Sequence, residues 1–274
     1  PDIEWQKCLG GSEVDEARGI DVTRDGGYVV IGKSLSNNGD VTGNHGVMDF
    51  WVVKLSSTGE IQWQKCLGGS NHDRSYSIQQ TSDGGYIVAG HTASNDGDVT
   101  SLHDDLDFWV VKLKSLGVIQ WQKTLGGSDW DEAWSVRQTT DGGYIVAGRS
   151  RSSDGDVTTN HGGFDFWVVK LDDIGIIEWQ KSLGGSMDDI AYAVRQTMDG
   201  GYIVTGESES NDGDASGLHG SSDYWVVKLS PAGALEWQKM LGSTSIDRPN
   251  DIYPTNDGGY IVAGIASLNN GDVT

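Results

Sequence analysis

The chain has 274 residues, 40 of them Gly and only 4 Pro, with 11 Trp and a formal charge of -21. So much Trp supplies a core to bury and excludes a disordered polymer, and Gly without a triplet period excludes a collagen helix. The acidity argues against nucleic acid or an anionic membrane surface as partner, and favours solubility, cation binding or a basic partner; no apolar run reaches 18 residues, so no membrane insertion is expected.

A tandem repeat organises the rest. Trp5, Trp63, Trp121, Trp179 and Trp237 follow one another at intervals of 58 residues, and a period of that length sets the architecture before any motif is read. The five copies run 1–58, 59–116, 117–174, 175–232 and 233–274, read as one domain. No leader peptide is visible, and a start at Pro1 suggests a processed protein or an excised fragment.

Residues 4–9 (EWQKCL) alternate like a strand and end at a Gly-Gly-Ser turn. Next comes a second alternating segment ending in Thr, whose later copies read SIQQT, SVRQT and AVRQT. Asp25-Gly26-Gly27 follows and recurs in all five copies; Asp-Gly between two extended segments predicts a hairpin, because Gly supplies the positive φ of the turn. The strand after it is YVVIG at Tyr28 and YIVAG or YIVTG thereafter. A polar loop then leads to FWVVKL at residues 50–55, and a short Gly-containing turn leads to the next WQK strand. Each copy therefore predicts four strands joined by short connections, hence one antiparallel sheet. The expected fold is all-β: a five-repeat β-propeller of four-stranded antiparallel blades.

The WVVKL strand appears four times and the other strands five, so the fifth blade is incomplete. The chain stops at Val273-Thr274, just short of that strand. If the ring closes, residues 4–9 are expected to pair into the blade that contains Tyr260; the missing third strand means that the natural protein continues beyond Thr274, which is the plain reading, that the closing blade is incomplete, or that a second chain supplies the strand and the protein self-associates. The repeated Trp51, Trp109, Trp167 and Trp225, with the WQK tryptophans, are expected between blades. Gln and Lys of WQK are expected to face solvent.

The acidic loop is the first candidate site. Its Asp40, Asp96, Asp98, Asp154, Asp156, Asp212, Asp214 and Asp272 lie around a Gly turn, and Asp49, Asp107, Asp165 and Asp223 follow at the mouth of the aromatic strand. Oxygens so spaced can converge on Ca²⁺, which takes six to eight oxygen ligands; the same residues also suit Asx-turns bonded to their own backbone. No EF-hand spacing is present. His45, His103, His161 and His219 recur in this loop without the further Cys or His that zinc wants, and a bond to a backbone carbonyl is expected. Asp15, Asp73, Asp131, Asp189 and Asp247 suit capping of backbone N–H groups. Cys8 and Cys66 share a slot that later holds Thr124, Ser182 and Met240, which speaks against a structural disulfide.

An active site needs different groups in different roles and so breaks repeat symmetry. Trp130, Trp134 and Arg137, with Arg149 and Arg151, are the clearest local departures and suggest a stacking and hydrogen-bonding patch for a sugar or peptide. Glutamates such as Glu13, Glu16 and Glu132 are not repeated as a set, and no nucleophile triad stands out.

The pattern SIQQTxDGGYIVAGxSxSNDGDVTxxHGxxDFWVVKLxxxGxIxWQKxLGGS resembles the tandem repeats of large secreted or surface-anchored bacterial and archaeal proteins. The resemblance covers the whole chain and departs at Arg248-Pro249-Asn250 and the absent last aromatic strand. It implies an extracellular or cell-surface scaffold or recognition module with a protein or glycan partner and no catalytic residues. The alternatives are a lectin-like glycan-binding module and a polysaccharide-cleaving enzyme.

Overall fold

The computed structural model describes residues 2–272; Pro1 and the Val273-Thr274 end lie outside the described residues. Every element is a strand. The chain divides between Leu125 and Gly126 into two compact units.

The first unit holds two sheets. One is β1 (Asp15–Val22), β2 (Tyr28–Ser34), β3 (Asp49–Leu55) and β4 (Ile61–Leu67); the other is β5 (Asp73–Gln80), β6 (Tyr86–Thr92), β7 (Asp107–Leu113) and β8 (Ile119–Leu125). The second unit holds β9 (Asp131–Gln138), β10 (Tyr144–Ser150), β11 (Asp165–Leu171) and β12 (Ile177–Leu183), then β13 (Asp189–Gln196), β14 (Tyr202–Ser208), β15 (Asp223–Leu229) and β16 (Leu235–Leu241). A two-stranded sheet of β17 (Asp247–Pro254) and β18 (Tyr260–Ala266) follows. Strands within each sheet stand in chain order and are all antiparallel, a propeller-like arrangement of four blades and an incomplete fifth.

Short turns enforce this order. Between β1 and β2, Gly26 N–H bonds Thr23 O at 2.9 Å and Thr23 N–H bonds Gly27 O at 2.9 Å, with Gly26 at φ 78°. That is the three-residue hairpin in which a left-handed Gly follows a tight turn. Asp25 Oδ1 accepts from Gly27 N–H and Thr23 Oγ1, and the buried Lys54 of β3 closes on the same carboxylate at 2.9 Å. The Lys of FWVVKL thus spans two strands to clamp the DGG turn, and Lys112 on Asp83, Lys170 on Asp141 and Lys228 on Asp199 repeat this.

The FWVVKL strand is buried on both faces, as its unbroken apolar run requires. In the first unit Phe50 and Val52 of β3, with Val29 and Ile31 of β2, pack on Ile78, Tyr86, Trp109 and Val111 of the next sheet. Phe50 meets Trp109 at 4.6 Å between ring centroids, and Phe166 meets Trp225 at the same distance in the second unit. Trp63 and Trp179 lie half-buried, edge-on to Tyr86 and Tyr202 of the following sheet.

Three expectations are corrected. Residues 4–9 form no strand, and the sheet of β17 and β18 has two strands only. Trp5 instead meets Tyr28 at 5.7 Å and Leu9 packs with Trp51, Val53 and Leu55, so the segment repeats on β2 the side-chain contact that Trp63 makes with β6. Side-chain packing is kept there without a ladder. The Gln of WQK is not spent on solvent: Gln64, Gln122, Gln180 and Gln238 accept the indole N–H of Trp51, Trp109, Trp167 and Trp225 at 2.8–3.0 Å. A buried indole needs such a partner. Lastly, the loop histidines bond carboxylates, not carbonyls, as described below.

Pro249 stands opposite Gly264 beside a bulge: β17 shifts register between Pro249 and Asp251, so Asn250 is the unpaired residue, and the ladder is already interrupted next to the proline. The equivalent shifts between Ala17 and Gly19 and between Ser75 and Ser77 show that the bulge belongs to the repeat.

Candidate recognition face

The invariant polar residues are consumed by the fold. Asp73 Oδ2 accepts Gly69 N–H at 2.8 Å and Ser94 Oγ at 2.9 Å, and its other oxygen takes Thr92 Oγ1. Asp189 accepts Gly185 N–H and Ser210 Oγ in the same way, at 2.9 Å each. In the acidic loop Asp96 Oδ1 accepts Ser70 N–H at 2.6 Å, Asp154 takes Ser128 and Asp212 takes Ser186. Asp40, Asp98 and Asp156 accept the N–H of Gly10, Gly68 and Gly126. The acceptors stand 26 or 30 residues from their donors, so these bonds pin the loop to the turn before the first strand and are not the Asx-turns on their own backbone that the loop sequence suggests. Gly97 sits at φ 64°, and a Cβ there would stand 2.4 Å from Gly68 O, so only Gly permits this approach.

Asp49, Asp107, Asp165 and Asp223 are fully buried, and each holds the Nδ1 of His45, His103, His161 or His219 at 2.6–2.8 Å. Asp272 lies 3.8 Å from His219 Nε2. Burial raises the carboxyls of Asp49, Asp73 and Asp165 above the usual range and brings Asp189 to about 6, against the hydrogen bonds that lower them. Asp165 Oδ1 and Asp214 Oδ2 are buried without a hydrogen-bond partner. Among the described residues no three His, Cys, Asp or Glu side chains are grouped as a metal ion requires.

Three slots that vary in charge and aromatic character between copies lie at one end of each sheet, although the copies also differ elsewhere, as at Asp21, Gln79, Arg137, Arg195 and Tyr253. The slot after the first-strand Asp reads Glu16, Arg74, Glu132, Ile190 and Arg248; two further on it reads Arg18, Tyr76, Trp134, Tyr192 and Asn250. The slot before the last residue of the second strand reads Lys33, His91, Arg149, Glu207 and Ile265. The first and third of these slots face each other directly in the ladder: Glu16 with Lys33, Arg74 with His91, Glu132 with Arg149, Ile190 with Glu207, Arg248 with Ile265. The cluster contrasts with the hairpin, clamp and inter-sheet residues, which packing holds nearly the same in every copy.

In the first unit Glu16 pairs with Arg18 at 2.5 Å and Lys33 at 3.2 Å, and Arg74 stands 3.8 Å away. Burial works against the Glu16 carboxylate, but Lys33, Arg18 and Arg74 together hold it below the usual range. Arg18 and Arg74 both lie over the Tyr76 ring. In the second unit the buried Glu132 pairs with Arg149 at 3.0 Å, and Arg149 covers the Phe164 ring at 4.2 Å, with Arg151 near the same ring. Glu207 accepts Tyr192 Oη at 2.6 Å and Arg248 Nε at 2.5 Å. Trp134 meets Tyr192 edge-on at 5.4 Å.

Of the residues singled out from sequence, Trp134, Arg149 and Arg151 belong to this face, and Trp130, 45% exposed, lies in the loop entering β9. Arg137 does not join them: it pairs opposite Ile145 near the hairpin turn at the far end of β9 and bonds Val136 O. Glu16, Lys33, Arg74, Tyr76, Tyr192, Glu207 and Arg248 were not singled out as a site; reading the five copies slot by slot carries the signal that finds them.

No known protein-family profile matches the chain. The regulatory protein FlaEY of Caulobacter vibrioides is 27% identical over 154 residues, half of this chain and 16% of that protein. Among solved structures, a protein of unknown function from Bacteroides caccae aligns over 84% of this chain and 83% of its own at 12% identity, TM-score 0.34. A Synechocystis apocarotenoid oxygenase mutant aligns over 89% of this chain and 53% of its own at 15% identity, TM-score 0.45.

Proposed function

We propose that the protein is an extracellular or cell-surface recognition module without catalytic activity, in which the invariant part of each repeat is scaffold and the variable ends of the first two strands take the ligand. One observation carries this reading. Three slots that differ between copies gather charged and aromatic groups at one end of the sheet, two of them opposite one another in the ladder. Groups so placed are positioned by rigid strands, which suits binding. The acidic surface and the repeat resemblance support an extracellular setting. A glycan partner is favoured over a protein partner by the exposed Trp130 in the loop entering β9 and by the Trp134–Tyr192 pair, since aromatic faces suit sugar rings. Calcium enters the proposal as a stabiliser at the buried unpartnered oxygens of Asp165 and Asp214; with no third carboxylate grouped there among the described residues, backbone oxygens and water would have to supply its remaining ligands.

A glycan array, run alongside a polysaccharide-hydrolase screen, tests the reading. Binding that is lost on Trp134→Ala and retained on Arg137→Ala is expected. Turnover of any polysaccharide would overturn the non-catalytic assignment, and binding that depends on Arg137 but not Trp134 would overturn its location. A Ca²⁺-dependent rise in Tm, reversed by chelator, tests the stabiliser.

A further inference from the structure

We infer that the first unit binds an acidic sugar, taking its carboxylate or sulfate on the cluster of Arg18, Lys33 and Arg74. This rests on the recognition reading above and adds the chemical class of the ligand.

The first argument is charge. Three cations surround a single carboxylate, Glu16, in a chain whose formal charge is -21. In the second unit the variable face is balanced instead: Arg149 is matched by Glu132 and Arg248 by Glu207. The excess in the first unit is therefore a local feature and not a property of the repeat. The second argument is an unmet donor. Arg74 Nη2 stands 3.8 Å from Glu16, beyond hydrogen-bond range, on a side chain that is 31% exposed; Nε also has no hydrogen-bond partner but is buried, so a ligand would meet the Nη end. A guanidinium left this way suits an oxyanion, whose paired oxygens match its fork of N–H donors. The face of Tyr76 holds the two guanidinium groups in place by cation–π contact, so the donors are pre-oriented.

The third argument concerns the rest of the ligand. Glu16 and Arg18 also line a cleft of about 570 Å³ whose other walls include Trp5, Lys7, Ile20 and Trp51. Trp5 is partly exposed there. An indole wall with a few charged groups at its rim fits a sugar ring carrying an anionic substituent. The surrounding field of a strongly acidic chain opposes a long polyanion, so a ligand with isolated charges is favoured over nucleic acid.

The test is titration calorimetry of the full chain with glucuronate-containing oligosaccharide, the neutral glucose oligosaccharide of the same length, an acidic peptide and inorganic sulfate. The uronate is expected to bind at least about tenfold more tightly than the neutral sugar, with affinity falling as salt rises. Arg74→Gln should lose about tenfold with an unchanged Tm. Glu16→Gln should instead gain several-fold, because the internal competitor for the three cations is removed; a purely structural network would not respond in that direction. Equal binding of the acidic and neutral sugars, tighter binding of the acidic peptide, or no effect of Arg74→Gln would each overturn the inference. If the uronate fails while a neutral glycan binds and depends on Trp134, this inference falls and the recognition reading stands.

Discussion

Lys112 offers the sharpest test of how the repeat holds its hairpins. Its side chain is 2% exposed, and Nζ donates to Asp83 Oδ2 at 2.8 Å and to Leu113 O at 3.1 Å, whereas the Asp83 side chain is 52% exposed. The two ends of this pair are therefore unequal. Lys112→Met keeps the apolar stem; Asp83 is rehydrated and one buried carbonyl loses a donor, a cost of about 2 kcal/mol after allowing for solvent at the carboxylate. Asp83→Asn leaves an ammonium buried with only neutral acceptors; for a fully buried pair that costs about 3–5 kcal/mol, and the half-exposed carboxylate brings it to the lower end, about 3 kcal/mol. Urea denaturation of both single variants and the double variant should place Asp83→Asn as the more damaging, with the double variant at least about 1 kcal/mol better than the sum. The same pair has a pH signature. Burial raises the Asp83 carboxyl, but bonds from Lys112, Thr81 and Gly85 N–H outweigh it and bring it to about 2. A carboxyl lowered on folding stabilises fully above its unfolded value of about 4 and loses that contribution as pH falls toward 2. The gap between the native chain and Lys112→Met should accordingly narrow from pH 4 downward. A Lys112→Met cost equal to or above that of Asp83→Asn, or a gap independent of pH, would refute the clamp.

Further outcomes follow from the same geometry. Gly97→Ala, at φ 64° and with Gly68 O 2.4 Å from the new Cβ, should cost clearly more than Gly84→Ala, at φ 83° with nothing within 4 Å; the latter should cost about 1 kcal/mol from backbone strain alone, and equal losses in urea midpoint would remove the close-approach argument. Gln238→Leu strands the indole N–H of the buried Trp225 and should cost about 1–3 kcal/mol, readable as a shift in near-ultraviolet circular dichroism and in urea midpoint. Self-association through the two-stranded sheet is expected to involve Ile261, which is 62% exposed although its counterparts Ile87, Ile145 and Ile203 are fully buried. Sedimentation should show concentration-dependent association that Ile261→Glu abolishes; a monomer at every concentration would dismiss it.

Much of the fold was legible in the chain because its causes are local and repeated. The DGG turns, the unbroken WVVKL run and the short connections leave little choice but antiparallel strands in chain order, and the strand count already marks the last blade as incomplete. Residues 4–9 read as a strand because alternation reports only which side chains are apolar; whether a neighbour offers free N–H and C=O groups is not written in the segment. The roles of the polar residues were hidden for a related reason. Gln64 and Trp51 lie thirteen positions apart on neighbouring strands, and His45 and Asp49 within one loop, so each pairing depends on how the chain folds back. The same holds for the recognition face. Repetition in the sequence marks what every blade needs, but the proximity of Glu16, Lys33 and Arg74 exists only after β1 pairs with β2 and the next sheet packs against them. Period, turns and strand order come from local stereochemistry; the partners of a charge come from register and packing, which act between residues the chain itself keeps apart.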